Sequence, residues 1–86
     1  MFWCSKKVKV GKMYACSTGT YAGQFLIFIR VRGDEYGFLS APEMKNVWVP
    51  KEKFDFAIAN DILELVENVP KYVKQVAILQ FDQNEL

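Results

Sequence analysis

Phe25-Leu26-Ile27-Phe28-Ile29-Arg30-Val31-Arg32 is the stretch of this 86-residue chain that predicts a central β-strand. Side chains alternate between the two faces of a strand. One face would be entirely aromatic or β-branched, as on the buried side of a strand; it comprises Phe25, Ile27, Ile29 and Val31. The other face would be half apolar and half cationic; it comprises Leu26, Phe28, Arg30 and Arg32. This second face is either another packed surface that ends in solvent or a platform for a partner.

A two-residue hairpin turn at Gly33-Asp34 is predicted after this strand, because Gly supplies a positive φ and Asp tolerates one. The register would place apolar residues together on one face and an ion pair on the other. Its pairs would be Arg32 with Glu35, Val31 with Tyr36, Arg30 with Gly37 and Ile29 with Phe38. Two interpretations of Gly37 stay open: it leaves the strand surface free for a flat or extended ligand, or Phe28 covers it.

Shorter strands are predicted before and after the hairpin, giving an antiparallel sheet over residues 2–49. Lys7-Val8-Lys9-Val10 alternates lysine with valine, as in a half-buried strand with its charges outward. Met13 to Cys16 is a continuation or a second strand, and Asn46 to Val49 alternates again. Trp48 is either a core residue or a platform, and the core is favoured because a small domain needs its bulky residues inside.

After Pro50 the apolar residues recur at steps of three and four, which predicts a helix over Lys51–Asn68. Pro50 suits the start of a helix, and Pro70 prevents its continuation. In a competing interpretation, Asn60-Asp61 is a turn and residues 62–66 form a short strand.

A second helix is predicted from Pro70 to Phe81, although residues 72–81 also suit a closing strand. Asp82 to Leu86 would be a frayed polar tail. The predicted fold class is therefore α+β: a small antiparallel sheet followed by one or two C-terminal helices. These helices would cover the face formed by Phe25, Ile27, Ile29 and Val31.

Length and composition predict a single domain, residues 1–86. A chain this short buries only ~60–65% of the surface that its unfolded form exposes, so we expect it to form a homodimer. Thirteen aromatic residues distinguish it from a disordered chain. No apolar run approaches the ~20 residues of a membrane span, and the first lysines follow a very short apolar start, the reverse of a secretory signal. We therefore expect a cytoplasmic protein with no membrane partner.

The chain has no histidine and two cysteines, which restricts its chemistry. Cys4 and Cys16 have neither CxxC spacing nor a disulfide framework, so core or half-buried positions are favoured over redox or metal roles. Without histidine there is no Cys-His dyad and no Ser-His-Asp triad. We predict no catalytic residues, no metal and no cofactor; a small ribonuclease without histidine is the less favoured enzyme alternative.

Net charge is +1, but the two halves of the chain differ in sign. Residues 1–53 hold nine Lys or Arg and four Asp or Glu, whereas residues 54–86 hold two and six. Such polarity attracts a polyanion to one face, or lets the two halves attract each other within the fold or across a dimer. The Gly-rich stretch Ser17 to Gln24 lacks the spacing and the lysine of a phosphate-binding loop, so it is interpreted as a flexible turn.

The basic front half predicts a site for single-stranded RNA. Lysines and arginines hold phosphates, and bases stack on exposed aromatic rings or guanidinium planes. The predicted nucleic-acid-binding residues are Lys6, Lys7, Lys9, Lys12, Tyr21, Phe28, Arg30 and Arg32. The alternative is an inhibitory module that binds a host protein, or a second copy, through an apolar sheet face formed by Leu26, Phe28 and Leu39.

The chain has an overall likeness to a known group. The likeness is carried by the basic opening strand, the turns Val10-Gly11-Lys12 and Thr20-Tyr21-Ala22-Gly23, and the closing Val69-Pro70-Lys71-Tyr72-Val73. It resembles the small accessory proteins that T4-type bacteriophages make against their hosts, among them RNA-binding antagonists of toxin–antitoxin systems. The resemblance implies a non-catalytic, often dimeric binder that counteracts a host ribonuclease toxin or another host defence, in the host cytoplasm. It covers the arrangement of the chain and implies no role for any single residue.

Overall fold

The computed structural model describes residues 8–86, which form one five-stranded antiparallel sheet and two helices. The predicted α+β class is confirmed. The strand order is β4-β3-β2-β1-β5, so β2 and β3 lie in the interior of the sheet together with β1. The elements are β1 (Met13–Cys16), β2 (Phe25–Arg32), β3 (Glu35–Ala41), β4 (Lys45–Pro50), α1 (Lys51–Ala59), β5 (Leu63–Val66) and α2 (Lys71–Asn84).

The β2–β3 hairpin turns at Gly33, whose φ of 57° lies in the left-handed region that glycine tolerates. The pairs Arg32–Glu35, Val31–Tyr36 and Arg30–Gly37 form as predicted. The fourth predicted pair is wrong, because Phe28 and not Ile29 faces Phe38. Ile29 is an extra residue in β2, a β-bulge that the alternation of the sequence does not reveal.

The bulge changes which face of the sheet carries the arginines. Leu26 and Phe28 pack with Phe54 of α1, whereas Ile27 and Ile29 pack with Phe81 of α2. Beyond the bulge, the guanidinium of Arg30 lies over the ring of Phe81, and that of Arg32 lies over Trp48. The two arginines therefore share a face with Ile27 and Ile29, and not with Leu26 and Phe28 as predicted.

The two helices lie on opposite faces of the sheet, so the prediction that they cover one face and leave the other open is wrong. On the α1 face the core is aromatic: the rings of Tyr14, Phe28, Tyr36, Phe38 and Phe54 meet mostly edge to face. On the α2 face it is mainly aliphatic around Phe81. A domain this small stabilises itself by burying both faces of its one sheet. Phe25 and Val31, predicted to be buried, are exposed.

The first helix ends at Ala59, so the favoured prediction of a helix to Asn68 is wrong and the competing turn-and-strand interpretation is correct. The Asn60 side chain donates to the carbonyl oxygen of Phe56, and Asp61 adopts a positive φ of 58°. The four residues of β5 then pair with β1 from Met13 to Cys16. Pairing satisfies the backbone of β1, which a longer helix would leave as an open edge.

The second predicted helix forms and runs further than expected, through Asn84. The Asn46 side chain donates to the carbonyl oxygen of Phe81 at 3.0 Å and to the Glu85 carboxylate at 2.8 Å, and Asn84 donates to Asn46 at 2.9 Å. These bonds satisfy groups at the C-terminal end of α2, so the predicted frayed tail from Asp82 is wrong.

At the other end of the described chain, residues 8–10 form no strand, and the rest of the predicted N-terminal strand, including Lys7, lies outside the described residues. Among residues 8–86, no helix has the length and apolar character needed to cross a membrane.

Candidate polyanion-binding cleft

The N-terminus of α2 meets the start of β1 at Gly11. The chain turns there, with φ of 91° at Gly11 and a hydrogen bond of 3.1 Å from the Lys12 N–H to the Lys9 carbonyl oxygen. A Cβ on Gly11 would lie 2.9 Å from Cγ of Lys74, so only glycine lets the methylene chain of Lys74 pack this closely. The turn thus holds Lys12 beside the first turns of α2.

A cleft of about 670 Å³ opens between this turn, β5 and the start of α2. Three lysines line it: Lys12 from the turn, and Lys71 and Lys74 from α2. Its acidic lining residue is Glu67, and its apolar floor includes Met13 and Val66. Lys71 and Lys74 are exposed, so their ammonium groups are accessible to a ligand.

The electrostatics of the cleft favour an anion. Within residues 8–86, the ion pairs closer than 4.0 Å are Arg30–Asp82 and Arg32–Glu35, so Glu67, although it lines the cleft, forms no ion pair with the three lysines. The N-terminus of α2 has Pro70 as its flanking residue and no side-chain cap. Val73 donates its N–H to the Pro70 carbonyl oxygen at 3.1 Å, and the preceding amide groups of Lys71 and Tyr72 add positive potential beside the lysines.

Arg30 and Arg32 are engaged within the protein. Arg30 forms an ion pair with Asp82 and lies 5.2 Å from the centre of the Phe81 ring. Arg32 lies 3.3 Å from the Glu35 carboxylate and 3.8 Å from the centre of the Trp48 ring. Both arginine side chains stay about half exposed although each is paired with a carboxylate, so they offer flat surfaces to a ligand. Trp48 itself is a half-buried residue that packs on Phe81.

The other predicted site residues are not brought to one place. Lys9 lies in the turn before β1, where its carbonyl oxygen accepts a hydrogen bond from the Lys12 N–H. Tyr21 lies in the β1–β2 loop at the opposite end of that strand. Phe28 is only 3% exposed, so the prediction that it stacks on a base is wrong. Lys6 and Lys7 lie outside the described residues.

Sequence reasoning missed Lys71 and Lys74 because they stand in the acidic half of the chain. The local signal was present: two lysines three residues apart, directly after a proline that starts a helix, lie on one face of that helix. What the sequence does not contain is the contact between Gly11 and Lys74, which places these lysines beside Lys12.

The alternative binding surface, formed by Leu26, Phe28 and Leu39, does not exist as an exposed patch. All three residues are buried: Leu26 and Phe28 belong to the core under α1, and Leu39 belongs to the core under α2. The prediction of a docking face on the open side of the sheet is therefore wrong.

The remaining polar chemistry lies away from the cleft. Burial raises the pKa of the Tyr14 phenol, and the nearby Tyr36 adds to the increase. Burial and then Asp55 raise the pKa of Tyr36. Both phenols belong to the aromatic core on the α1 face. Cys16 is a half-buried thiol that donates to the Thr18 carbonyl oxygen, and residues 8–86 contain no cluster of three or more candidate metal ligands.

No family model matches this chain, and comparisons with curated proteins and with solved structures found no significant match.

Proposed function

We propose that this protein is a non-catalytic binder of single-stranded RNA, and that the cleft beside the N-terminus of α2 holds the phosphates. The observation that supports the proposal is the group Lys12, Lys71 and Lys74, which lines one cleft with no carboxylate within ion-pairing distance in residues 8–86. Lysines without internal partners remain available to neutralise phosphates, and an uncapped helix N-terminus favours anions in the same place.

A single strand is proposed as the ligand because stacking surfaces lie at the same end of the sheet. Arg32 stacked on Trp48 presents an exposed guanidinium plane at the end of β2 that lies beside the start of β1, from which the Gly11 turn leads to the cleft. Unpaired bases stack on such planes, whereas the bases of a duplex are already stacked on each other. The lysines would supply most of the affinity, since Arg30 and Arg32 are neutralised by Asp82 and Glu35.

The test is a fluorescence-anisotropy titration of the protein with a labelled, mixed-sequence single-stranded RNA at 50 and 200 mM salt. Three lysine–phosphate contacts predict a salt slope of about −2, and hence about a 20-fold loss of affinity over this range. The variant Lys12→Gln/Lys71→Gln/Lys74→Gln should lose most binding and nearly all of the salt dependence. Arg30→Ala/Arg32→Ala should weaken binding less, with the fold intact.

The matched control is Lys45→Gln/Lys53→Gln, which removes two exposed lysines from β4 and α1 without touching the cleft. If the control weakens binding per lysine as much as the cleft variant does, the attraction is general and the cleft is not the site. Absence of binding to RNA at 50 mM salt would refute the proposal and direct the search to a protein target.

The resemblance to phage accessory proteins adds the proposal that the RNA-binding activity counteracts a host ribonuclease toxin. Co-expression should then restore growth of bacteria that produce such a toxin, and the triple lysine variant should not restore it. If the triple lysine variant restores growth as well as the parent protein does, the antagonist activity does not depend on the cleft.

A further inference from the structure

Helix α2 is apolar on two sides. Val73, Ala77 and Phe81 face the sheet and join its core. A second row, Tyr72, Val76 and Leu79, follows steps of four and three residues and therefore forms another stripe along the helix. These side chains are 66%, 50% and 66% exposed. Within residues 8–86, no core cluster includes this second stripe, and exposed apolar side chains in a row mark a contact surface.

The charges of α2 oppose its own dipole. Lys71 and Lys74 lie in its first turns, and Asp82 and Glu85 lie at its end, with no acidic residue in the first turn and no basic residue in the last. A cation is unfavourable at the positive N-terminal end of a helix, and an anion is unfavourable at the negative C-terminal end. When a second helix packs alongside in the opposite direction, the lysines lie near the negative end of its dipole and the carboxylates lie near its positive end. Both interactions then become favourable.

We infer that the occupant of this stripe is a second copy of the chain, docked with its α2 antiparallel. Two-fold symmetry would place Tyr72, Val76 and Leu79 against the same three residues of the partner. The basic first turns of each helix would then lie beside the acidic end of the other, so that charges and dipoles both attract. Asp82 keeps about half of its side-chain surface exposed despite its pair with Arg30, which leaves it accessible to such a partner.

The size of the stripe sets the strength of this dimer. A helix of 14 residues is ~21 Å long. Standard interfaces bury ~800 Å² per partner, about a seventh of the 5752 Å² surface of this chain. Two crossing helices of this length approach only the low end of that range, so the dimer should dissociate in the micromolar range of protein concentration.

Sedimentation velocity across 1 µM to 1 mM protein tests the inference. The sedimenting mass should rise from about one to about two copies of the 9.9 kDa chain. Leu79→Glu should abolish the rise, because antiparallel docking places the new carboxylate against the partner's Tyr72 at both ends of the seam. The matched control is Phe56→Glu, which changes a side chain of similar exposure, 62%, on α1; it should leave the dimer intact. Circular dichroism confirms that both variants fold.

A charge-reversal series tests the direction of the helices. Lys71→Glu and Asp82→Lys should each shift the dissociation constant upward by several-fold, and the double variant should restore it. A protein that stays monomeric to 1 mM, or a dimer that withstands Leu79→Glu, overturns the inference. Failure of the double variant to restore affinity overturns the antiparallel arrangement. None of these outcomes depends on RNA, so the inference can fail while the proposed function stands.

Discussion

Replacing Gly37 by alanine should destabilise the protein, although alanine is usually the better residue inside a strand. A Cβ built on Gly37 lies 2.7 Å from Cζ3 and 2.9 Å from Cη2 of Trp48, and 3.1 Å from Cζ of Phe81. The Trp48 ring has little freedom to retreat, because the Arg32 guanidinium lies 3.8 Å from its centre and the Phe81 ring packs at 5.6 Å. Neither open interpretation of Gly37 is correct: Trp48 and Phe81, and not Phe28 or a ligand, occupy the space over it.

The size of the effect follows from two opposing terms. Overpacking a filled site costs about 1–3 kcal/mol, whereas removing the freedom of glycine in the unfolded chain returns about 0.4–1 kcal/mol. We expect a net loss of about 1–2 kcal/mol, which for a domain of this size lowers Tm by roughly 5–15 °C. Urea unfolding followed by tryptophan fluorescence and by circular dichroism measures the free energy and checks that the transition is two-state.

A second variant identifies the cause of the loss. In a Trp48→Leu background the six-membered ring that meets the new Cβ is absent, so Gly37→Ala should cost less than in the parent protein or become neutral. Two results would refute the reasoning: a Gly37→Ala protein as stable as its parent, or the same loss in both backgrounds.

Two further predictions concern pH and the end of α2. Burial raises the pKa of Tyr14 above its usual value of 10.0, so the folded state holds the phenol proton more tightly than the unfolded state does. The contribution of Tyr14 to the free energy of unfolding should therefore be constant below about pH 10 and should fall as pH rises toward the folded pKa. Urea unfolding from pH 8 to 11 should show this decline, and Tyr14→Phe should reduce it, whereas an equal decline in Tyr14→Phe would assign it to another group. Asn46→Ala removes the side chain that donates to Phe81 and Glu85 and accepts from Asn84. It should lower the free energy of unfolding by about 1–3 kcal/mol and speed amide exchange in the last turn of α2. Gln75→Ala, at an exposed position of the same helix, should change neither the stability nor the exchange rate.

The parts of the fold that could be predicted are those fixed by neighbouring residues. Gly33-Asp34 determines the hairpin and three of its pairs, and Pro50 and Pro70 mark where each helix begins. The bulge at Ile29 could not be predicted, because regular alternation already places Phe28 and Ile29 on opposite faces. The sequence carries no separate signal for the extra residue that moves Arg30 and Arg32 to the α2 face. The length of α1 likewise depends on β1, because residues 63–66 form a strand that pairs with its edge. These partners lie more than forty positions apart in the sequence.

The candidate site was predictable in its chemistry but only partly in its position. Lys12 was identified from the basic front half, and the structure adds Lys71 and Lys74 through the approach of α2 to Gly11. Phe28 was misplaced because an aromatic residue that alternates with arginine resembles a surface residue. The bulge separates the two: the aromatic side chain points to α1 and the arginines point to α2.

In genetic terms, the bulge corresponds to one additional codon, that of Ile29, which the sheet accommodates. Removing Ile29 would keep Phe28 opposite Phe38 and Arg30 opposite Gly37, so the pairing of β2 with β3 does not depend on it. On its other side, β2 pairs with β1 up to Ile27, and Phe28 forms backbone hydrogen bonds with Lys12 and Gly11. The chain from Lys9 to Lys12 turns there, beside α2. A deletion at this position should therefore be selected against less for the hairpin than for the core under α2, where Ile29 is buried and packs with Phe81.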